Sequence, residues 1–193
     1  MRCTMDKKAA YEKVEAALSE KRFAHTKGCI SEAVKLSQKW GADVDSAENA
    51  ALLHDITKHF DRVQQLNLCS AYGIIIDDVA KTEWKILHAL TGSEVAKREY
   101  GASENECRAI RYHTTGHPDM KLLDKIIYLA DFIEPTRDFD GVEELRRLAY
   151  EDVDDAMIAA LSMSIREVLD SGRLLHHDTV DTRNKLCLMK RKI

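Results

Sequence analysis

Apolar residues recur at helical spacing along most of the chain. Near its start, Tyr11, Val14 and Leu18 share one face of a predicted helix. A second amphipathic stretch runs from about Arg22 to Trp40, and Gly41 follows it, a residue that readily adopts the left-handed conformation of a helix end. The pattern therefore predicts the first two helices and the end of the second.

A third helix is predicted after an acidic start. Asp45 followed by Glu48 resembles a capping pair, whose side chains bond the free N–H groups of a first turn. The residues beyond follow the i, i+3, i+4, i+7, i+8 pattern of one buried face. This face consists of Ala47, Ala50, Ala51, His54 and Asp55. Two polar groups are therefore predicted on a stripe that otherwise points to the core.

The middle of the chain is less regular. Residues 72–77 could form a short strand or an extended connector. Asp77 or Asp78 would then cap a helix that runs to about Gly92, and a second short helix would end before Gly101. The pattern predicts two consecutive helices here.

The next helix begins with a clear signal. Ser103 and Glu106 have the spacing of a capping box, and the helix should continue to His113. Residues 114–118, with a Gly and a Pro, should form the loop that breaks it.

A strongly apolar helix follows this loop. Apolar residues recur from Leu122 to Ile133, Pro135 should end the helix, and Asp131 lies inside the apolar run. Three further helical patterns cover residues 142–149, 153–169 and 179–192. The sequence thus predicts an all-α globule of roughly eight or nine helices.

Composition supports a folded, helical protein. Of 193 residues, 45% are apolar and 32% charged, which suffices for a core and excludes the disordered class. There are only 8 Gly and 2 Pro, and so few turn residues disfavour a many-stranded β architecture. The length suits one domain of about 150 residues with additions, so we expect a single domain over residues 1–193.

Charge, hydropathy and cysteines limit the location and the partners. A net charge of -4 offers no bulk basic surface, so nucleic acid is not an expected partner. The longest apolar run has six residues, far short of a membrane span, and the start lacks the apolar stretch of a secretory signal. The cysteines form no C-x-x-C pair and are Cys3, Cys29, Cys69, Cys107 and Cys187. Free thiols in a reducing compartment are the expectation, which predicts a cytoplasmic protein without a membrane partner.

Four polar residues are candidates for metal binding. His25, the adjacent pair His54 and Asp55, and Asp131 each fall within or at the end of a predicted helix. An unpaired buried imidazole or carboxylate costs several kcal/mol, whereas two of each can share one divalent cation. Each residue alone could instead be a hydrogen-bonded core histidine or a solvated aspartate. Their joint order H…HD…D favours the metal site.

Longer motifs around these residues resemble a known family. The order H…HD…D is that of the HD-domain superfamily of metal-dependent phosphohydrolases. Nearly the whole chain is similar to the symmetrical bis(5'-nucleosyl)-tetraphosphatases, the bacterial family often called YqeK. The most specific motifs are H-T-T-G at 113–116 and L-A-D-x-I-E-P-x-R at 129–137. Further similar stretches are R-F-A-H-T at 22–26, A-L-L-H-D-I-T-K at 51–58, L-H at 87–88, G-R-L-L-H at 172–176 and T-R-N at 182–184. His177 departs from the family pattern, which more usually has proline there.

The resemblance implies a compact all-α fold and a hydrolytic activity. The implied ligands of one or two divalent ions are His25, His54, Asp55 and Asp131. Fe(II) is the favoured ion, with Mn(II), Zn(II) or Ni(II) as alternatives, because two nitrogens and two carboxylates suit all of them. The implied partners are a dinucleoside polyphosphate substrate, such as diadenosine tetraphosphate, and the nucleoside diphosphate product of cleavage in its middle. A homodimer is left open.

Basic and imidazole side chains near these ligands are implied to handle the phosphates. Cationic side chains are needed because the phosphoanhydride is highly negative and repels an attacking hydroxide. The implied substrate-binding residues are Arg22, His25, Lys58, His88, His113, Arg137, Arg173 and His176. The implied catalytic residues are Asp55, Lys58, His88 and His113. Asp55 would serve as both metal ligand and proton acceptor.

Two of the histidines have alternative interpretations. His88 and His113 could hold a second ion or contact phosphate. Contact with phosphate is preferred because the carboxylates between them are all predicted on polar helix faces or in a cap, and these are Glu94, Glu99, Glu104 and Glu106. His59 and His177 are expected at the surface, and His117 lies in a loop without a cysteine pair that would indicate zinc.

Other functions remain open from the residues alone. The same metal centre would support another nucleotide phosphatase or a cyclic-nucleotide phosphodiesterase. A nucleotide-sensing protein without turnover would also keep the fold. All four ligands and the flanking basic residues are present, which favours an enzyme, since a degenerate sensor would tolerate losses among them.

Overall fold

The computed structural model describes residues 5–191, which fold into eleven α-helices with a 3-10 turn at Trp84–Ile86. The prediction of an all-α fold is confirmed, although the described residues contain more helices than the predicted eight or nine. The helices are α1 (Lys7–Ala17), α2 (Glu20–Trp40), α3 (Val44–Leu53), α4 (Arg62–Ala71), α5 (Asp78–Thr82), α6 (Leu87–Tyr100), α7 (Glu104–Tyr112), α8 (Leu122–Ile133), α9 (Val142–Ala149), α10 (Val153–Asp170) and α11 (His177–Arg191).

The centre of the molecule is built around α8. This helix is apolar on nearly every side, as expected of a helix enclosed by others, and even the ring of Tyr128 is 1% exposed. It packs against α2, α3, α7 and α10, and α2 also packs closely against α3. The helices that carry the candidate metal ligands therefore meet in the core.

Several predicted boundaries are confirmed. Gly41 ends α2 in the left-handed conformation at φ 74°, and Ser103 with Glu106 forms the reciprocal capping box of α7.

Cys29, Cys69, Cys107 and Cys187 are free thiols, whereas Cys3 lies outside the described residues. Among the helices within residues 5–191, none has the length and apolar character needed to cross a membrane.

The middle of the chain differs in part from the prediction. Residues 72–77 form a connector, one of the two predicted alternatives, but Asp77 caps only the short α5. A single helix, α6, then runs through Gly92 to Gly101, because a buried glycine inside a helix need not end it. Helix α4 had no predicted counterpart, since its face is mostly polar and buries only Gln65 and Cys69.

The last helix also begins earlier than predicted. It starts at His177 instead of residue 179, and Lys192, its predicted end, lies outside the described residues.

The start of α3 is a correction that can be tested. Asp43, not Asp45, is the N-cap residue, and its carboxylate accepts a 2.7 Å hydrogen bond from the backbone N–H of Ser46. Asp45 and Glu48 instead bind the ammonium group of Lys7, at 2.7 and 2.8 Å. Substitution D43A should therefore lower the free energy of unfolding by about 1 kcal/mol, the usual value of a lost N-cap. D45A should change it little, because exposed ion pairs contribute little. Denaturant titration of both variants checks this, and a larger loss in D45A would contradict the assignment.

Candidate metal centre

Five helices bring six polar side chains together in the core. Helix α2 carries one of them, the C-terminal end of α3 two, α6 one, the end of α7 one and α8 one. They are His25, His54, Asp55, His88, His113 and Asp131. All four imidazoles and the carboxylate of Asp55 are buried, while the side chain of Asp131 is 20% exposed. The four ligands predicted from the sequence therefore lie together with the two histidines whose roles were open.

The end of α3 explains how two adjacent residues can both face this site. His54 is the C-cap residue, and the chain then turns tightly through bonds from Ile56 N to Leu53 O and from Lys58 N to Asp55 O. In a continuing helix adjacent side chains would point about 100° apart. The turn directs both side chains inward, where they are 1% and 2% exposed.

One half of the centre contains His25, His54 and Asp131. The distance from Asp131 Oδ1 to His25 Nε2 is 3.0 Å, and to His54 Nε2 it is 4.0 Å. Cys29 completes this group, with its Sγ 3.4 Å from His25 Nε2. Burial raises the pKa of this thiol well above its usual value, so the thiol is protonated in the metal-free protein.

The other half contains His88 and His113. Their Nε2 atoms are 3.0 Å apart, and they lie 3.1 and 3.6 Å from Asp55 Oδ1. The second carboxylate oxygen, Oδ2, lies 3.6 Å from His54 Nε2 and 3.9 Å from His25 Nε2. Asp55 therefore stands between the two halves and presents one oxygen to each.

The tautomers of His88 and His113 are fixed by the backbone. Each Nδ1 lies 2.6 Å from the carbonyl oxygen three residues earlier. A carbonyl can only accept, so each Nδ1 carries a proton, and a ring in its neutral form then has an unprotonated Nε2 facing the other ring. Two lone pairs at 3.0 Å repel unless a cation lies between them and the carboxylate.

The unsatisfied atoms agree with a metal centre. His54 Nε2 and Asp55 Oδ1 are buried without a hydrogen-bond partner among the described residues. Such atoms are costly unless something binds them, and nitrogen and carboxylate oxygen are donors that divalent transition metals accept. The residues present therefore fit a metal ion.

The protonation states also suit a metal. Burial lowers the pKa of His54 to about 4, despite the nearby carboxylates. Burial and the charge of Lys58 likewise lower the pKa of His88 to about 4. Burial alone would raise the pKa of Asp55 and Asp131, but their imidazole neighbours outweigh it and lower both. At neutral pH His54 and His88 are thus neutral and both aspartates ionised, the forms that coordinate metals. Burial lowers the pKa of His25, but its hydrogen bonds to Asp131 and Glu134 outweigh burial and raise this pKa.

Three basic side chains border the centre as predicted. Arg22 bonds Asp55 Oδ2 at 2.9 Å, and Lys58 Nζ lies 3.0 Å from His88 Nε2. Arg137 donates to the Asp131 carboxylate at 2.6 Å and to its carbonyl at 2.8 Å. Each of the three is a third or more exposed and can also reach solvent.

The remaining predicted residues lie further out. A cavity of about 300 Å³ joins the centre to Arg173 and His176, which share its lining with Lys58, His113 and Asp131. Arg173 is paired with Glu167 at 3.2 Å, and His176 with Asp77 at 3.0 Å. The structure therefore places these two on the lining of the cavity and outside the ligand cluster.

Three other histidines lie outside the centre. His59 and His177 are exposed, as predicted. His117 stacks on Tyr112 with 4.4 Å between ring centroids, so its neighbour is an aromatic ring.

Two residues near the centre had no predicted role. Cys29 lies one helical turn after His25, and Glu134 lies three residues after Asp131, where its Oε1 is 3.0 Å from His25 Nδ1. The helical spacing of Cys29 from His25 was the available signal. No such signal linked Glu134 to His25, because their contact joins two distant helices.

Comparison with known proteins places the centre in a family context. The family model described as "HD domain" matches residues 22–136, which include all six side chains of the centre. A Halalkalibacterium halodurans protein named "Bis(5'-nucleosyl)-tetraphosphatase, symmetrical" is 37% identical over 95% of this chain and 98% of its own. A Bacillus subtilis protein of the same name is 35% identical over 94% of this chain and 98% of its own.

A solved structure has the same fold. It is an HD superfamily hydrolase from Clostridium acetobutylicum, described as involved in NAD metabolism, with 36% sequence identity. The superposition has a TM-score of 0.93 and covers 96% of this chain and 99% of the other.

Proposed function

Since this chain belongs to the HD-domain family, and within it to the symmetrical bis(5'-nucleosyl)-tetraphosphatases, we propose that its six clustered side chains form a two-ion catalytic centre. The protein is a metal-dependent hydrolase of dinucleoside tetraphosphates. The position of the cut, the ligand set and the identity of the ions are the parts proposed here.

The observation that carries the proposal is the facing pair of Nε2 atoms in the second half of the centre. His25, His54 and Asp131 would hold one ion, and His88 with His113 the other, while Asp55 would contact both. The 3.0 Å approach of two unprotonated nitrogens beside a carboxylate supports a second ion over a phosphate contact for His88 and His113. Nitrogen and carboxylate ligands suit Fe(II), Mn(II), Zn(II) and Ni(II). We take Fe(II) as the proposed ion.

The remaining residues would manage the charge of the substrate. When bound, the ions supply a nucleophile at neutral pH and stabilise charge on the phosphoryl oxygens. Lys58 lies beside both His88 and Asp55, so its ammonium group is positioned to bind the phosphate at the reacting end. Arg22 and Arg137 hold the carboxylates of Asp55 and Asp131 in place, and their solvent-facing N–H groups would bind neighbouring phosphates.

The outer cavity would receive the rest of the substrate. Arg173 lines the same cavity as Asp131 and is partly exposed, so a more distant phosphate would reach it. His176 lines the same cavity and would contact the chain of phosphates or the sugar. A cytoplasmic location, where nucleotides are abundant, is proposed with this function.

The test is the product pattern from diadenosine tetraphosphate. The protein should yield only ADP, because the ions would act on the central phosphoanhydride, and anion-exchange chromatography of the reaction separates the nucleotides. Metal-depleted protein should be inactive, and Fe(II) added without oxygen should restore turnover.

Two other patterns would reject parts of the proposal. Equimolar ATP and AMP would mean an asymmetric cut and would overturn the proposed position. Binding of the dinucleotide without any product, in protein loaded with each of the four metals, would favour the nucleotide-sensing alternative.

A further inference from the structure

The four histidines of the centre are not held in the same way. The Nδ1 atoms of His54, His88 and His113 bond the backbone carbonyls three residues earlier, at 2.7, 2.6 and 2.6 Å. His25 Nδ1 instead lies 3.0 Å from Oε1 of Glu134. His25 is therefore the one histidine of the six-residue cluster whose outer nitrogen faces a carboxylate.

Glu134 is fixed in place by the turn that follows α8. Its side chain is 0% exposed, and it accepts from the backbone N–H of Thr136 at 2.7 Å and from the hydroxyl at 2.5 Å. Arg146 donates to the backbone carbonyl of Glu134 at 2.9 Å. With the N–H of His25 the buried carboxylate has three donors, which is the condition for burying an ionised group.

An independent observation comes from Gly28, in the middle of α2. A Cβ built on Gly28 would lie 2.3 Å from Oε2 of Glu134, so a side chain at this position would displace the carboxylate. Glycine inside a helix costs about 1 kcal/mol relative to alanine. The missing side chain is thus accounted for by the space that the carboxylate of Glu134 occupies.

The second half of the centre lacks such a carboxylate. Among residues 5–191, the Nδ1 atoms of His88 and His113 face uncharged backbone carbonyls. A cationic side chain borders each half, since Lys58 Nζ lies 3.0 Å from His88 Nε2 and Arg137 bonds the aspartate of the other half at 2.6 Å. The carboxylate behind His25 is therefore what distinguishes the two halves.

We infer that Glu134 is a positioning residue that holds the proton on His25 Nδ1 and turns Nε2 toward the ion. This makes the half containing His25 bind its ion more tightly than the half containing His88 and His113. A carboxylate behind a histidine ligand orients the ring and strengthens the nitrogen as a donor. The inference rests on the proposed two-ion centre and adds to it which of the two ions is bound more tightly.

The test is metal affinity measured without turnover. Mn(II) is titrated against a chelator into wild-type protein and into E134Q, and the two dissociation constants are compared. E134Q should raise the Kd of the tighter ion about 10–100-fold, the usual effect of removing such a partner. The Kd of the weaker ion should stay unchanged. If E134Q raises the Kd by the same factor when it is added to H113N, a variant that keeps only the half with His25, the tighter ion is assigned to that half.

Glycine variants provide a matched pair in case E134Q folds poorly. G28A should raise the same Kd, because its methyl group displaces Glu134 while favouring the helix. G92A is the control, since a Cβ on this other helical glycine meets only ordinary contacts, the nearest at 3.5 Å. Thermal unfolding of the metal-free proteins separates a loss of stability from a loss of affinity.

The outcomes distinguish this inference from the proposed function. Wild-type affinity in both E134Q and G28A would overturn it, as would an equal loss in G92A or an equal loss for both ions. Wild-type protein that binds no Mn(II) would instead reject the metal centre itself.

Discussion

Replacing Asp55 by asparagine should remove both ions and lower turnover of diadenosine tetraphosphate on the order of 10³-fold or more. Asp55 is expected to have the largest effect of any single residue because it faces both halves. Its two oxygens lie within 3.1–3.9 Å of all four imidazole Nε2 atoms. An amide of the same shape removes the negative charge and offers one oxygen in place of two. Elemental analysis after gel filtration, together with initial rates, checks the prediction.

The control for D55N is another aspartate with the same substitution. Asp78 begins α5, its side chain is 98% exposed, and it is paired only with Lys81. D78N should keep the metal content and the rate of the wild type. A full complement of two ions in D55N would contradict the role of Asp55 between the halves, and unchanged thermal unfolding of metal-free D55N would show that loss of metal is not loss of fold.

Local signals in the sequence predicted most of the helices, because the spacing of apolar residues and the caps act within a few residues. The capping box at Ser103 and the glycine at position 41 are of this kind. Helix α4 was missed for the same reason: it buries only Gln65 and Cys69, so periodicity carries little signal. Gly92 led to the opposite error: a helix was predicted to end there, whereas tertiary packing keeps α6 continuous through this glycine.

The metal centre could be predicted from the sequence only in part. His25, His54, Asp55 and Asp131 could be proposed from their order and from resemblance, because those clues lie along the chain. The contact between His25 and Glu134 joins residues 109 positions apart, and the facing nitrogens of His88 and His113 depend on how α6 meets the end of α7. The helical period of 3.6 residues in the sequence does not show which residues of different helices meet. The tautomers, and the argument for a second ion that depends on them, could therefore be derived only from the three-dimensional structure.

His113 provides the sharpest test between the two roles considered for the second half of the centre. H113N should reduce the metal content from about two ions per chain to about one, because asparagine can still bond the carbonyl of Ile110 but has no imidazole nitrogen for the ion. Turnover should fall strongly, since one of the two ions that neutralise the phosphates is lost. Elemental analysis and rates measured on the same preparation check both expectations.

The opposing expectation follows from a phosphate contact. In that case H113N would keep two ions, or one if the wild type holds one, and would mainly raise KM. H117N is the matched control: the residue lies four positions further on, stacks on Tyr112 and approaches none of the six clustered side chains, so its metal content should equal that of the wild type. An unchanged metal count in H113N would return His113 to substrate binding. The 3.0 Å approach of its Nε2 to that of His88 would then reflect a proton shared between the two rings.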